Sequence, residues 1–361
     1  MRVVVAMSGG VDSSVTAALL QEQGHEVIGV HMKLHDAPTP SGAPEKRCCG
    51  LDDALDARRV ADKLGIPFYV MNLREAFQKA VIDDLTSNYV KGLTPNPCVR
   101  CNGVLKFKVL LARAVALGAD KLATGHYARI GEGSSLCTAV DTAKDQTYFL
   151  YPITGEALDK TLFPLGSMTK PEVRAHAERF GLITAQKPES QEICFVADDD
   201  HARFVREAHP EVDAAGEIVD EDGHVLGHHD AYYRFTVGQR RGLNVALGRP
   251  AYVIRIEADT RRVVLGFEDR IHHAGLIATE LNWFERPKPD RVVQVRIRHR
   301  GSLVPCRVGA GDRAEVSFLQ TARAVTPGQA AVFYDGDRVL GGGTIVRAIE
   351  AVAAPNPECA A

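Results

Sequence analysis

Seven consecutive residues near the start of this 361-residue chain, Ser8-Gly9-Gly10-Val11-Asp12-Ser13-Ser14, have the chemistry to hold a polyphosphate. Two glycines let the backbone approach an anion closely. A helix opening behind them adds unpaired N–H groups and a positive dipole end. Hydroxyls at Ser8, Ser13 and Ser14 supply further donors. The plain alternative is a glycine turn with Asp12 as helix cap, common at any strand-to-helix junction. The full string, directly after the apolar run Val3–Ala6, lowers the weight of that alternative. No Lys-Ser/Thr pair follows the glycines, and the spacing is not that of a dinucleotide fingerprint.

The second chemistry is sulfur. Cysteines stand at 48, 49, 98, 101, 137, 194, 306 and 359. A thiolate can carry a sulfur atom as a persulfide, and a second thiolate can release it by the displacement used in thiol–disulfide exchange. From Lys91 to Arg113 there are five basic residues, Lys91, Arg100, Lys106, Lys108 and Arg113, and no acidic one. That charge favours thiolate at Cys98 and Cys101 and suits a phosphate backbone. For Cys48, Cys49, Cys137, Cys306 and Cys359 the reading is a small buried hydrophobe. Cys98-Val99-Arg100-Cys101 is a C-x-x-C with no second copy, so a four-cysteine zinc site would need distant partners.

These groups need a scaffold. The first ~190 residues alternate strand and helix patterns, which predicts a parallel sheet flanked by helices. Strands are expected at Val3–Ala6, Val27–Met32, Pro67–Val70 and Lys121–Thr124. Helices are expected at Val11–Gln23, Asp52–Leu64, Glu75–Tyr89, Val104–Ala116 and about Lys170–Phe180. Cys101 then lies in a proline-broken loop just before a helix. Asp198–Asp222 holds ten acidic residues against Arg203 and Arg206 and reads as a short helix and solvated connector. Beyond it the pattern is β, with short strands and Gly-rich turns that suggest a small barrel. The fold class is therefore α/β, followed by two small, mainly β domains. The expected divisions are 1–198, 199–275, 276–352 and a disordered tail at 353–361.

Arg286–Arg300 carries six basic residues against Asp290 alone. Alternation in Arg296-Ile297-Arg298-His299-Arg300 predicts one basic strand face, a solvated face or an RNA contact. The whole chain carries 43 Lys plus Arg against 46 Asp plus Glu, which excludes a globally basic nucleic-acid coat. No apolar run approaches the ~18 residues of a membrane span. The uninterrupted apolar run before Ser8 is only five residues, Val3–Met7, a strand rather than an export signal. Eight cysteines are too few for a disulfide scaffold, so the expected compartment is the reducing cytoplasm.

Five more strings occur in order: Thr94–Asn102, Thr124-Gly125-His126-Tyr127, Lys144–Leu150, Ser190–Phe195 and Val237-Gly238-Gln239-Arg240-Arg241-Gly242-Leu243. With the Ser8–Ser14 loop they resemble the tRNA-specific 2-thiouridylase family of the N-type ATP pyrophosphatases, over essentially the whole chain. The resemblance implies that ATP adenylates O2 of wobble uridine 34, that pyrophosphate leaves, and that sulfur then replaces the activated oxygen. It implies Cys101 as catalytic thiol and Cys194 as persulfide carrier. Nucleotide contacts fall on Ala6, Met7, Ser8, Gly9, Gly10, Val11, Asp12, Ser13, Met32 and Gly125. Contacts to tRNA fall on Asn96, Pro97, Cys98, His126, Lys144, Asp145, Gln146, Arg298, His299 and Gln329. Mg²⁺ would offset the phosphate charge, with Asp12 in support. Many members carry aspartate at position 98. The cysteine here leaves open a [4Fe–4S] cluster on Cys98, Cys101 and Cys194, a minority reading beside the persulfide. Expected partners are tRNAs for Lys, Glu and Gln and a sulfur donor, a cysteine desulfurase or relay protein. The expected state is a monomer away from membranes. A small-molecule ligase sharing the loop would need neither paired cysteines nor a basic barrel.

Overall fold

In a computed structural model, β1 (Arg2–Ala6) is buried on both faces through Val3, Val4 and Val5, as a central parallel strand must be. The structure describes residues 1–35, 51–188, 195–196 and 200–351. Cys48, Cys49, Cys194, Cys359 and the tail 353–361 lie outside the described residues. The chain divides into two units. The first comprises Met1–Asp84, Pro97–Asp200 and Asp337–Val339. The second comprises Leu85–Asn96, His201–Gly336 and Leu340–Ala361.

In the first unit, β1 pairs in parallel with β2 (Glu26–Lys33) on one side and β4 (Lys121–Thr124) on the other. β3 (Phe68–Asn72) lies beyond β2, and β7 (Thr161–Leu162) beyond β4. The connections run outward in both directions from β1, so the ends of β1 and β4 border a topological switch point, where open α/β sheets bind ligands. Helix α1 (Val11–Glu22) follows β1 directly, and α2 (Leu51–Leu64) precedes β3. The core beneath the sheet joins Val3, Val5, Val15, Leu20, Val60 and Ala123, each fully buried aliphatic side chain contributing about 1.5–3 kcal/mol.

Two helical runs differ from the sequence expectation. Residues 74–90 form α3, with a wide π-type turn at Gln78–Ile82. Residues 97–116 form α4, π-type over Cys101–Leu110. The pattern predicts a helix only from Val104 with Cys101 in the loop before it; the observed helix begins at Pro97. Proline suits a first helical position because its missing N–H has no partner there anyway. Cys101 thus stands one turn inside the helix rather than ahead of it.

The second unit carries two β assemblies. Helix α6 (His201–Ala208) leads to a four-stranded sheet ordered β10–β11–β8–β9, from Tyr252–Glu257, Arg262–Gly266, Gly216–Val219 and Val225–His229. The acidic stretch read as a solvated connector therefore supplies a strand, because Ile218 and Val219 are buried between its carboxylates. The last assembly is a closed barrel of six antiparallel strands: β12 (His272–Trp283), β15 (Ala314–Arg323), β14 (Val304–Val308), β13 (Val293–Arg296), β16 (Ala330–Asp335) and β17 (Arg338–Glu350), with β17 pairing back to β12. The predicted basic strand face is not one face. β13 ends at Arg296, whose guanidinium lies over the Tyr334 ring, and Arg298–Gly301 is a turn closed by the Gly301 amide donating to the Arg298 carbonyl at 3.0 Å. Arg300 takes a left-handed φ of 62°, which a strand cannot accommodate.

Candidate active site

A cavity of about 400 Å³ opens within the first unit at the ends of β1, β2 and β4. Its floor is the Ser8–Ser13 loop. Gly9 has φ +82°, and a Cβ there would meet the Asp53 carbonyl oxygen at 2.2 Å. Gly10 occupies the cap position of α1 with no side-chain cap, so the first-turn amides keep their donors for a ligand. Asp12 sits inside that first turn and is not the cap. Ser8 N–H donates to Ser13 Oγ at 3.1 Å, and Ser13 Oγ donates to the Gly10 carbonyl at 3.1 Å, which fixes the loop's curvature. The Ser14 hydroxyl donates to the same carbonyl at 2.8 Å and is fully buried, so it serves the loop rather than a ligand.

Four lysines and two aspartates line the cavity, an excess of positive charge suited to polyphosphate. Lys170, at the start of α5 (Lys170–Arg179), donates to Asp12 Oδ1 at 2.8 Å and Oδ2 at 2.9 Å. Tyr127 Oη donates to Asp12 Oδ1 at 2.9 Å. Lys187 donates to the Gly9 carbonyl at 3.1 Å, to Asp53 at 2.7 Å and to Asp56 at 2.6 Å, tying the loop to α2. Both cavity carboxylates are therefore held by ammonium groups. Asp12, offered by the sequence to Mg²⁺, has both oxygens engaged by Lys170.

Cys98 and Cys101, three residues apart on α4, also line the cavity, Cys98 exposed and Cys101 half-buried. Pro97, Lys144 and Gln146 line it as well. His126 is buried, and its Nδ1 lies 2.7 Å from Thr124 Oγ1. Lys106 Nζ lies 3.3 Å from His126 Nε2. Lysine can only donate, so Nε2 accepts and the proton sits on Nδ1. Burial first, then Lys106, pushes the His126 pKa well below the usual histidine value. His31 donates from Nδ1 to the Met7 carbonyl at 2.9 Å, and burial lowers its pKa as well.

Of the nucleotide contacts expected from the sequence, Ala6, Met7, Ser8, Gly10, Val11, Asp12, Ser13, Met32 and Gly125 line this cavity, while Gly9 shapes the loop from behind. Asp145 turns inward. Its carboxylate accepts from the Ala139 amide at 3.1 Å and from Thr147 Oγ1 at 2.7 Å, so it braces the segment that presents Lys144 and Gln146. Asn96, Arg298, His299 and Gln329 belong to the second unit. There the Gln329 amide donates to the Thr94 carbonyl at 2.9 Å, and Arg298 donates to the Arg323 carbonyl at 3.0 Å. Cys306 and Cys137 are buried, and burial pushes the Cys306 thiol up to about 12, the behaviour of an inert core cysteine.

Residues 1–198 match the tRNA methyl transferase HUP domain, residues 202–267 the tRNA methyl transferase PRC-barrel domain, and residues 273–345 the aminomethyltransferase beta-barrel domain. A tRNA-specific 2-thiouridylase MnmA of Geobacter metallireducens is 53% identical over 95% of this chain and 96% of its own length. Its namesake from Geotalea uraniireducens is 52% identical over 99% of this chain and 98% of its own. The chain belongs to the tRNA-specific 2-thiouridylase family. In this 2-thiouridylase-family site, the side chains without a motif signal are Lys170, Lys187 and His31. The two lysines stand alone in otherwise ordinary segments, and only their convergence marks them. Asn102, next to Cys101, is buried, donates to the Phe149 carbonyl at 3.2 Å and leaves its Oδ1 without a hydrogen-bond partner among the described residues.

Proposed function

We propose that this chain uses ATP to convert uridine 34 of tRNA to 2-thiouridine, releasing AMP and pyrophosphate. The observation that carries the reading is one cavity lined by both a phosphate loop and a pair of cysteines, Cys98 and Cys101. A target base inside a duplex or stacked loop must be extruded to reach such a site. The uncapped amides of α1 and the cavity lysines would hold the triphosphate, so that O2 of the base attacks the α-phosphorus and pyrophosphate departs. Lys170 keeps the Asp12 carboxylate off the incoming phosphates. Mg²⁺ would then travel on the phosphate oxygens and water, its usual ligands in such sites.

The terminal sulfur of a Cys194 persulfide would attack C2, and AMP would leave. The Cys101 thiolate would attack the inner sulfur, leaving the transferred sulfur on the base and closing a Cys101–Cys194 disulfide. A dithiol reductant then restores both thiols. The sulfur arrives from a donor protein of the desulfurase or relay class. A cluster held by Cys98, Cys101 and Cys194 would instead supply an open iron for sulfide. The persulfide reading is favoured because Cys98–Cys101 is the sole C-x-x-C in an otherwise ordinary cysteine complement. No helix among the described residues is long and apolar enough to cross a membrane.

The test is pyrophosphate release from ATP with and without tRNA, followed by nucleoside analysis for 2-thiouridine. Release that requires tRNA bearing uridine 34 is expected. Release driven by a small-molecule acceptor without RNA would overturn the reading.

A further inference from the structure

The Val237–Leu243 string has no part in the cavity, yet the second unit builds it with care. Gly238 N–H donates to the Val253 carbonyl at 2.7 Å, and Val253 N–H donates back to the Gln239 carbonyl at 2.9 Å, docking the loop on β10. The Gln239 side chain staples it from within. Its Oε1 accepts from the Thr236 amide at 3.0 Å, and its Nε2 donates to the Arg241 carbonyl at 3.0 Å. Gly238 has φ +87°, and a Cβ there would meet the Ala324 Cβ at 2.5 Å, so only glycine lets the loop lie this close to the end of β15.

What the staple presents is charge. Residues 236–252 contain Arg240, Arg241 and Arg249 and no acidic residue. All three arginines are exposed. Other arginines of this unit are neutralised locally: Arg255 by Glu257, Arg262 by Glu217 and Arg323 by Glu268. Arg240, Arg241 and Arg249 pair with no carboxylate among the described residues, and Arg249 lies flat on the Phe267 ring, 3.2 Å from its centroid. Unpaired guanidinium groups on a braced loop are pre-ordered donors, so little side-chain and loop entropy is lost when an anion binds.

The same loop adjoins Arg298. Arg298 is anchored on the Arg323 carbonyl, and Gly238 packs on Ala324, the next residue, about 3.8 Å along the chain. We infer that Arg240, Arg241 and Arg249 form, with Arg298, one continuous surface that grips the phosphate backbone of the tRNA substrate. This inference rests on the proposed function and extends it: the contacts carry no base information and set the position of the RNA.

The experiment measures tRNA binding by full-length protein across a salt series, for wild type, an Arg240→Ala/Arg241→Ala double variant and the matching Arg240→Lys/Arg241→Lys double variant. Thiolation is assayed in parallel. The alanine variant should bind tRNA several-fold more weakly at physiological salt, with the log–log salt slope reduced by about two units. The lysine variant should keep the wild-type slope, and thermal midpoints should be unchanged in both. An alanine variant with wild-type affinity and slope overturns the inference alone. A variant that binds tRNA normally but loses donor-supported thiolation also overturns it, assigning the loop to an acidic protein partner. A wild type that neither binds nor thiolates tRNA overturns the proposed function, and the inference falls with it.

Discussion

Lys170 holds Asp12 with both oxygens of the carboxylate, at 2.8 and 2.9 Å, across 158 positions of sequence. The pair joins the first turn of α1 to the first turn of α5. Lys170 is 8% exposed, and the α5 turn that carries it is fixed by a capping box between Thr169 and Glu172, whose carboxylate accepts from the Thr169 amide at 2.7 Å. Lys170→Met should therefore loosen the phosphate loop as well as remove a charge. Loss of these charged hydrogen bonds is expected to cost roughly 1–3 kcal/mol of stability. The ATP KM in tRNA-dependent pyrophosphate release should rise about tenfold or more, a change of at least ~1.4 kcal/mol in binding. Lys170→Arg, which keeps the charge, should recover part of it. An unaltered KM in Lys170→Met would remove this lysine from nucleotide binding.

Gly125 ends β4 against the loop. A Cβ there would meet the Asp12 carbonyl carbon and the Ser13 nitrogen, both at 2.8 Å, and both are backbone atoms that cannot rotate away. Gly125→Ala should push the loop off its position at a cost of about 1–3 kcal/mol. Adenylation should drop at least tenfold while tRNA affinity stays near wild type. Gel-shift and pyrophosphate assays on one preparation check this, and parallel loss of both would contradict the separation of roles.

The parallel sheet and the phosphate loop were legible because a both-face-buried strand, two glycines and a helix start are local patterns. Nothing in the strand pattern announces β12, which closes the barrel. Its sequence, HHAGLIATELNW, mixes buried Gly275, Leu276 and Ala278 with one register shift against β15 and three against β17, so the alternation that announces a strand is broken. Lys170 and Lys187 were invisible for a different reason. A lone lysine has no spacing signal, and its meaning comes from long-range contact. Asp145 was assigned to RNA through its neighbours, but its bonds to the Ala139 amide and Thr147 Oγ1 turn it inward. The arginine stripe failed because Arg300 and Gly301 make a turn where alternation alone reads strand.

His126 makes the stability of the first unit sensitive to acid. Its ring is neutral in the fold, burial being the larger cause and Lys106 the second. An unfolded chain takes up a proton there below about pH 6.5, whereas the folded chain does not. The contribution is thus complete above that value and is lost as pH falls beneath it, by up to about 1.4 kcal/mol per pH unit. His31, lowered by burial in the same way, adds to the trend. Urea unfolding between about pH 6.5 and 5 should show a shallower loss for His126→Gln than for wild type, by one histidine's share. Equal slopes would mean that His126 is protonated in the fold.

Cys98 separates two chemistries that the other thiols cannot. Cys101→Ser and Cys194→Ser should each abolish 2-thiouridine under a persulfide or a cluster mechanism. Cys98 is exposed and stands one helical turn before half-buried Cys101, so its thiol can modulate its neighbour without being the nucleophile. On the persulfide route, Cys98→Ser keeps most of the thiolation rate and lowers the tendency of Cys101 to be trapped as an off-path disulfide under oxidant. On the cluster route, Cys98 is one of three ligands. Aspartate at this position could bind iron; the harder serine hydroxyl is a poor substitute for thiolate. Activity and bound iron would then vanish together. Anaerobic purification of wild type and Cys98→Ser, with iron counted and thiolation assayed on the same samples, decides between them. The expected result is negligible iron in both proteins and a variant retaining most of its activity. Stoichiometric iron in the wild type, with an inactive and iron-free Cys98→Ser, would establish the cluster instead.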